Sequence, residues 1–215
     1  KAIPLIGRLL KGAQPNSSRT MKAATPEDKD LVLKLLVETF NDNPALNWMI
    51  RPGEGRSRRM RHFSAYAYRY ARVRNGVWIS DNRKAFLFAF RSDFQPFDLL
   101  TLLLWLRLGI TSLRIGRIPE LLRRERYRRR QRPEFPYVYV WFMGALPDSD
   151  RAAFELKSGI FEYAQSLQMN VYLETSVARN KHVFERAGFE TYHHLAAKNG
   201  SPDFWFLRSK SGPSK

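Results

Sequence analysis

The sequence has no cysteine in its 215 residues. A disulfide framework, a thiolate zinc site and a thiol nucleophile are thereby excluded. Histidine is scarce, at four residues, which leaves little material for an imidazole-rich centre, so no metal is expected. Acidic residues are few: 20 Asp and Glu stand against 37 Lys and Arg, a net charge of +17. A long hydrophobic run is also missing. Leu99 to Ile110 is interrupted by Arg107 and bounded by Asp98. At roughly 12 residues it falls short of the ~20 that a spanning helix needs. The apolar run within Lys1 to Leu10 is shorter and lacks a small-residue cleavage pattern. No membrane span is expected, and a cytoplasmic location is the default. What is present is a hydrophobic fraction of 44% with 13% aromatics. That composition excludes wholesale disorder and suits one domain with a real core.

Residues 1–20 carry four basic residues and no acid, and are taken as a basic N-terminal extension. Thr25 offers an N-cap to a helix with Pro26 at its first position, and Leu31, Val32, Leu35, Leu36 and Phe40 follow at helical spacing. Asn41-Asp42-Asn43-Pro44 is expected to end it. A second helix is predicted from Ser57 to Arg72, then strands at 77–80 and 84–90 around Asp81-Asn82-Arg83. Between 94 and 132 a Leu-rich helix passes into an Arg-rich one near Pro119. A strand at 136–145, a helix from Pro147-Asp148-Ser149, a strand at 170–175, a helix from about Arg179 to Gly188 and two closing strands complete the order. The expected class is α/β (α+β), with one mixed sheet.

The segment Val171-Tyr172-Leu173-Glu174-Thr175-Ser176, then Asn180, then Glu185-Arg186-Ala187-Gly188-Phe189-Glu190 resembles the GNAT superfamily of acyl-CoA-dependent N-acetyltransferases. Phe40, Asn43-Pro44, Trp48, Gly76-Val77-Trp78 and Tyr139 to Pro147 are similar to the branch that includes puromycin acetyltransferase. The resemblance implies a single GNAT-like domain over 21–210, a helical insertion at 92–135 on the acceptor side, and a tail at 211–215. It implies a mixed, mostly antiparallel sheet splayed between the fourth and fifth strands, with helices on both faces. Acetyl-CoA, or another acyl-CoA, would lie in that splay. The backbone of Met143 and Ala145 would pair with the pantetheine arm, Arg151, Ala152 and Ala153 would meet the pyrophosphate, and Asn180 would touch the arm. Glu174 is the expected base, acting directly or through water. The alternative for Glu174 is a strand carboxylate paired with an arginine, and for Asn180 a helix-start cap.

The loop Asp148-Ser149-Asp150-Arg151-Ala152-Ala153 has no glycine, where the family's pyrophosphate loop has small Gly or Ala positions. Asp148 and Asp150 can compete with a phosphate for helix-start amides. Four residues after Asn180, where the family usually has a tyrosine, stands Phe184, which is expected in the core. His182 is expected to face solvent or to cap. Tyr137, Tyr139 and Trp141 are expected on one strand face and Val138, Val140 and Phe142 on the other. His193 and His194 are adjacent on a strand and point apart, so they do not chelate together.

Arginines cluster, eight in 51–74 and ten in 107–132, with Tyr66, Tyr68, Tyr70 and Tyr127 interleaved. Such a pattern suits nucleic acid, an anionic surface or two solvated helices. The expected function is transfer of an acetyl group to a small-molecule or peptide amine by direct attack. The alternative is a GNAT-fold module that has lost its chemistry and binds an anionic partner such as RNA. Leu102 to Leu106 would line an acceptor cleft or a homodimer contact.

Overall fold

The computed structural model describes residues 21–198 and 200–210. The N-terminal extension at 1–20 and the tail at 211–215 lie outside the described residues. Seven strands form one sheet: β1 (Lys22–Ala23), β2 (Val77–Ile79), β3 (Ala85–Arg91), β4 (Val138–Ala145), β5 (Val171–Thr175), β6 (Phe189–Leu195) and β7 (Phe204–Ser209), in the order β1-β2-β3-β4-β5-β7-β6. Every pairing is antiparallel except β4 with β5.

The sheet divides two cores. On one side α1 (Lys29–Phe40), α2 (Pro44–Met49) and α3 (Arg56–Arg72) cover Phe86, Phe88, Phe90 and Tyr139. The inward face of α1 carries Val32, Leu35 and Leu36, all buried. On the other side α6 (Asp150–Ser166) lays Ala152, Leu156, Ile160 and Ala164 on Leu87, Val138 and Leu173, and Phe184 of α7 (Ala178–Arg186) joins that core. The segment between β3 and β4, expected to be an insertion, forms α4 (Leu99–Thr111) and α5 (Ile118–Gln131).

Most predicted elements are present, with two additions and one correction. α1 ends at Phe40, ahead of Asn41-Asp42-Asn43-Pro44 as expected, and a further helix follows at once. The Asn43 side chain accepts from the Ala45 and Leu46 N–H groups, at 3.0 and 3.2 Å, and starts α2. The two-residue β1 pairs Lys22 with Ile79 and is too short to carry an alternating pattern. Phe142 does not face away from Trp141. Their rings are 4.8 Å apart and both pack in the core under α1 and α3. A β-bulge is the reason: Phe88 pairs with Phe142 while Ala89 pairs with Val140, so Trp141 is an extra residue and the alternation shifts by one.

Candidate active site

The bulge at Trp141 also separates β4 from β5. Their parallel pairing runs from Val138–Val171 to Val140–Leu173 and stops there. Before the bulge the Val138 N–H points toward β5 and donates to the Asn170 carbonyl at 2.9 Å. After it the Leu146 N–H points the other way and donates to Lys84 beyond β3, at 2.9 Å. Strand alternation then turns the backbone groups of Phe142 and Gly144 toward β3, and those of Met143 and Ala145 toward the open side.

That open edge borders a cleft of about 530 Å³, within the range of small-molecule sites. Met143, Gly144, Ala145, Leu146 and Pro147 form one wall, the end of α1 with Thr39 and Phe40 another, and Ala153, Val177 and Asn180 close it. Gly144 is required by close approach. A Cβ there would lie 2.6 Å from the Phe86 ring, and closer still to the Thr39 hydroxyl.

The far end of the cleft is the start of α6. Asp148 turns the chain at a φ of 60°, a left-handed conformation that Asp tolerates better than most residues. Ser149 is the N-cap residue, but no side chain caps the helix. The Ala153 N–H donates to the Ser149 carbonyl at 3.2 Å, the first turn of the helix. Among the described residues, neither the Asp148 nor the Asp150 carboxylate accepts from the helix-start amides. Asp150 instead holds its Oδ1 buried and unpartnered. Ala152 is buried in the α6 core and Arg151 is exposed. Asn180 is not a cap, because α7 has Val177 at its N-cap. Its Oδ1 is buried, lines the cleft and has no hydrogen-bond partner. A buried orphan acceptor is costly unless something donates to it.

Glu174 lies on the α1–α3 side of the sheet, in a separate cluster supplied by the insertion. It is 6% exposed, and its Oε2 accepts from Nε of Arg128. Its Oε1 accepts from the Tyr139 hydroxyl at 3.1 Å and lies 3.6 Å from Arg132. Arg124 and Arg128, four residues apart, share one face of α5, and Arg132 follows as its C-cap just beyond the helix. Arg124 donates to the Pro202 carbonyl at 2.7 Å, with its guanidinium 4.8 Å from the Phe204 ring. Burial works against the charge of Arg128, but Glu174, Tyr139 and Glu125 hold its pKa well above the usual guanidinium value. Burial and then Glu174 push the Tyr139 phenol up, so it stays protonated and donates.

No family model matches the chain, and no curated protein does. Solved structures do match. An HPA2-type histone acetyltransferase and related acetyltransferase from Corynebacterium glutamicum aligns over 93% of this chain and 100% of its own, at 18% identity and a TM-score of 0.60. A Drosophila melanogaster polyamine N-acetyltransferase aligns over 89% and 99%, at 12% identity and a TM-score of 0.59. Arylalkylamine N-acetyltransferase 2 from Aedes aegypti aligns over 90% and 99%, at 16% identity and a TM-score of 0.56. The chain has the GNAT acetyltransferase fold. The splay that opens the cleft is the feature expected of GNAT sheets.

Several GNAT expectations can now be located. Phe184 packs on Phe189, with ring centroids 5.8 Å apart. His182 is 65% exposed and reaches Glu185 at 3.4 Å. His193 binds the Tyr127 hydroxyl at 2.6 Å, while His194 meets Asp203 at 2.8 Å. Tyr66 and Tyr70 turn inward onto Trp141, and Tyr68 is buried. These three tyrosines are core residues rather than platforms for stacking bases. The alternative reading of Glu174, a strand carboxylate paired with an arginine, is what the structure shows, with Arg128 and Arg132 as its partners; which arginines they are was not read from the sequence.

Proposed function

We propose that the protein is an acetyltransferase that uses acetyl-CoA to acylate an amine. The observation that carries this reading is the unpaired β4 edge at Met143 and Ala145, opening into a cleft that ends on an uncapped helix start. Residues along the cleft suit the group. The β4 backbone offers N–H and C=O partners to an extended amide chain, as an added strand would. Asn180 Oδ1 accepts from that chain, which removes its orphan status. The amides of Asp150, Arg151 and Ala152 are free to meet an anion at the helix start, and Ala153 keeps the wall small there. Bound in the cleft, acetyl-CoA would supply an activated acyl group.

The acceptor enters from the α1–α3 side. Tyr139 and Trp141 lie on this side with Tyr70 and Phe90 around them, and Arg128 and Arg132 are close by. The positive charge of this cluster disfavours a polycation. Both oxygens of Glu174 are engaged, so it takes the amine proton through an intervening water and also positions Tyr139. With no hydroxyl at Phe184, the proton for the departing thiolate comes from solvent. Glu174→Gln should lower kcat by about 10²-fold.

Isothermal titration with acetyl-CoA tests the reading. Saturable heat that Asn180→Ala weakens is expected. No heat at high micromolar protein and ligand would overturn it. The alternative, a module without chemistry, is less well served, because neither Asp148 nor Asp150 occupies the helix-start amides.

A further inference from the structure

Helix α4 is attached to α3 along one face. Leu108 is buried there, the Thr111 hydroxyl lies 3.0 Å from His62 Nδ1, and Asp98 pairs with Arg69, Nε to Oδ2 2.9 Å. The opposite face is wholly apolar. Leu99, Leu102, Leu103, Leu106 and Ile110 share one arc of the helix and are 59, 41, 52, 44 and 74% exposed. Trp105 stands at its edge, 48% exposed. Globular helices turn such a stripe inward, and a contiguous exposed one marks a surface that meets something.

The charges beside this face indicate what it meets. Arg107 flanks it, with its Nη2 3.2 Å from His62 Nε2. On α3, Arg58 stands one turn before His62 and Arg61 next to it, and burial, and then the charges of Arg107, Arg58 and Arg61, push the His62 pKa down. All three are exposed, and among the described residues none has a carboxylate partner. A second copy docked here in a two-fold manner would bring two such clusters together. Nucleic acid would engage the arginines but leave the leucines in water. An apolar stripe with a tryptophan at its edge and unpaired arginines alongside fits the boundary between acyl chains and anionic headgroups.

We propose that the protein docks on an anionic membrane surface through α4. The Leu99–Ile110 arc enters the acyl boundary, and Arg58, Arg61 and Arg107 lie on the headgroup phosphates. No helix among the described residues is long and apolar enough to cross a membrane, so the attachment is peripheral.

Co-sedimentation of the full chain with vesicles tests this. Vesicles of phosphatidylcholine alone are compared with phosphatidylcholine–phosphatidylglycerol vesicles. Pelleting with the anionic vesicles is expected, and little with the neutral ones. Leu103→Asp with Leu106→Asp should weaken binding by about tenfold or more. Arg58→Gln and Arg61→Gln should each weaken it about fivefold, with a shallower salt dependence. Because 1–20 is also basic, these variants carry the test rather than pelleting itself. All four positions are exposed, and unchanged circular dichroism shows that each variant is folded. Arg107→Gln serves as a second variant that leaves the apolar arc intact. The proposal is overturned if anionic vesicles do not pellet the protein, or if the Leu103 and Leu106 changes leave pelleting unchanged. It is equally overturned if those changes dissolve a dimer seen by sedimentation velocity in a protein that ignores vesicles. Retention of unstructured RNA without vesicle binding overturns it too.

Discussion

Helices α4 and α5 are neighbours in the chain and are buried the opposite way from what their compositions suggest. Leucine-rich α4 keeps one apolar side chain, Leu108, fully inside and turns the rest outward. Arginine-rich α5 turns Arg124 inward and is held to the sheet through Arg128 and, just beyond its end, Arg132. The difference lies in what each helix faces. The middle of the sheet beneath α5 presents Glu174 and the Tyr139 hydroxyl, with the Pro202 carbonyl alongside, and guanidiniums with several donors satisfy them. The α3 surface beneath α4 presents His62 and Arg69, so α4 attaches by its polar positions. Composition tells how much a helix can bury, and the partner decides which residues are used.

This contrast can be broken by mutation. The largest effect should come from Arg128→Met, which leaves Glu174 buried without its main partner. A loss of about 3–5 kcal/mol is expected in urea unfolding. A loss below ~1 kcal/mol would mean that α5 is not docked through its charges. Leu108→Ala should cost about 2–4 kcal/mol, because it removes the one deeply buried anchor of α4. Arg124→Met should cost about 1–2 kcal/mol, from a lost hydrogen bond and the lost approach to Phe204.

A smaller effect should follow acidification. The hydrogen bond from Arg69, and then those from Thr101, hold the Asp98 carboxyl well below the usual range. A depressed carboxyl contributes stability above its unfolded pKa and loses it as the pH falls through the folded one. The α4 attachment should therefore hold down to about pH 4 and loosen below it. Pepsin cleavage between Phe97 and Leu108 should rise in that window, and Asp98→Asn should show it already at the upper end. Least of all, Leu103→Ser on the outward arc should leave the melting temperature nearly unchanged, within ~0.5 kcal/mol.

The elements with one strong periodicity were legible in the sequence: α1 through Val32, Leu35 and Leu36, and the stretch from Val171 to Phe189 through its strand, helix and Gly188 ending. The position of Met143 and Ala145 beside a splay was implied by resemblance. Three things were not legible, each for a physical reason. Pairing in β1 involves two residues, too few to show a period. Asn43 caps α2 with a side chain that equally suits a turn. The bulge at Trp141 leaves no mark in a run where Tyr139, Trp141 and Phe142 are all large and apolar. Ion pairing at Glu174 was weighed as an alternative, but its partners come from 46 and 42 residues away in the chain, a distance no local pattern spans.

Val138 and Leu146 are both even-numbered, yet their N–H groups point to opposite neighbours. The strand therefore works as a parity device. Deleting Trp141 would remove the bulge and restore plain alternation, with Phe142 following Val140 and keeping its backbone toward β3 and its ring in the α1–α3 core. The parallel ladder with β5 would then have no extra residue to end it at Val140, so this one residue sets where the splay begins.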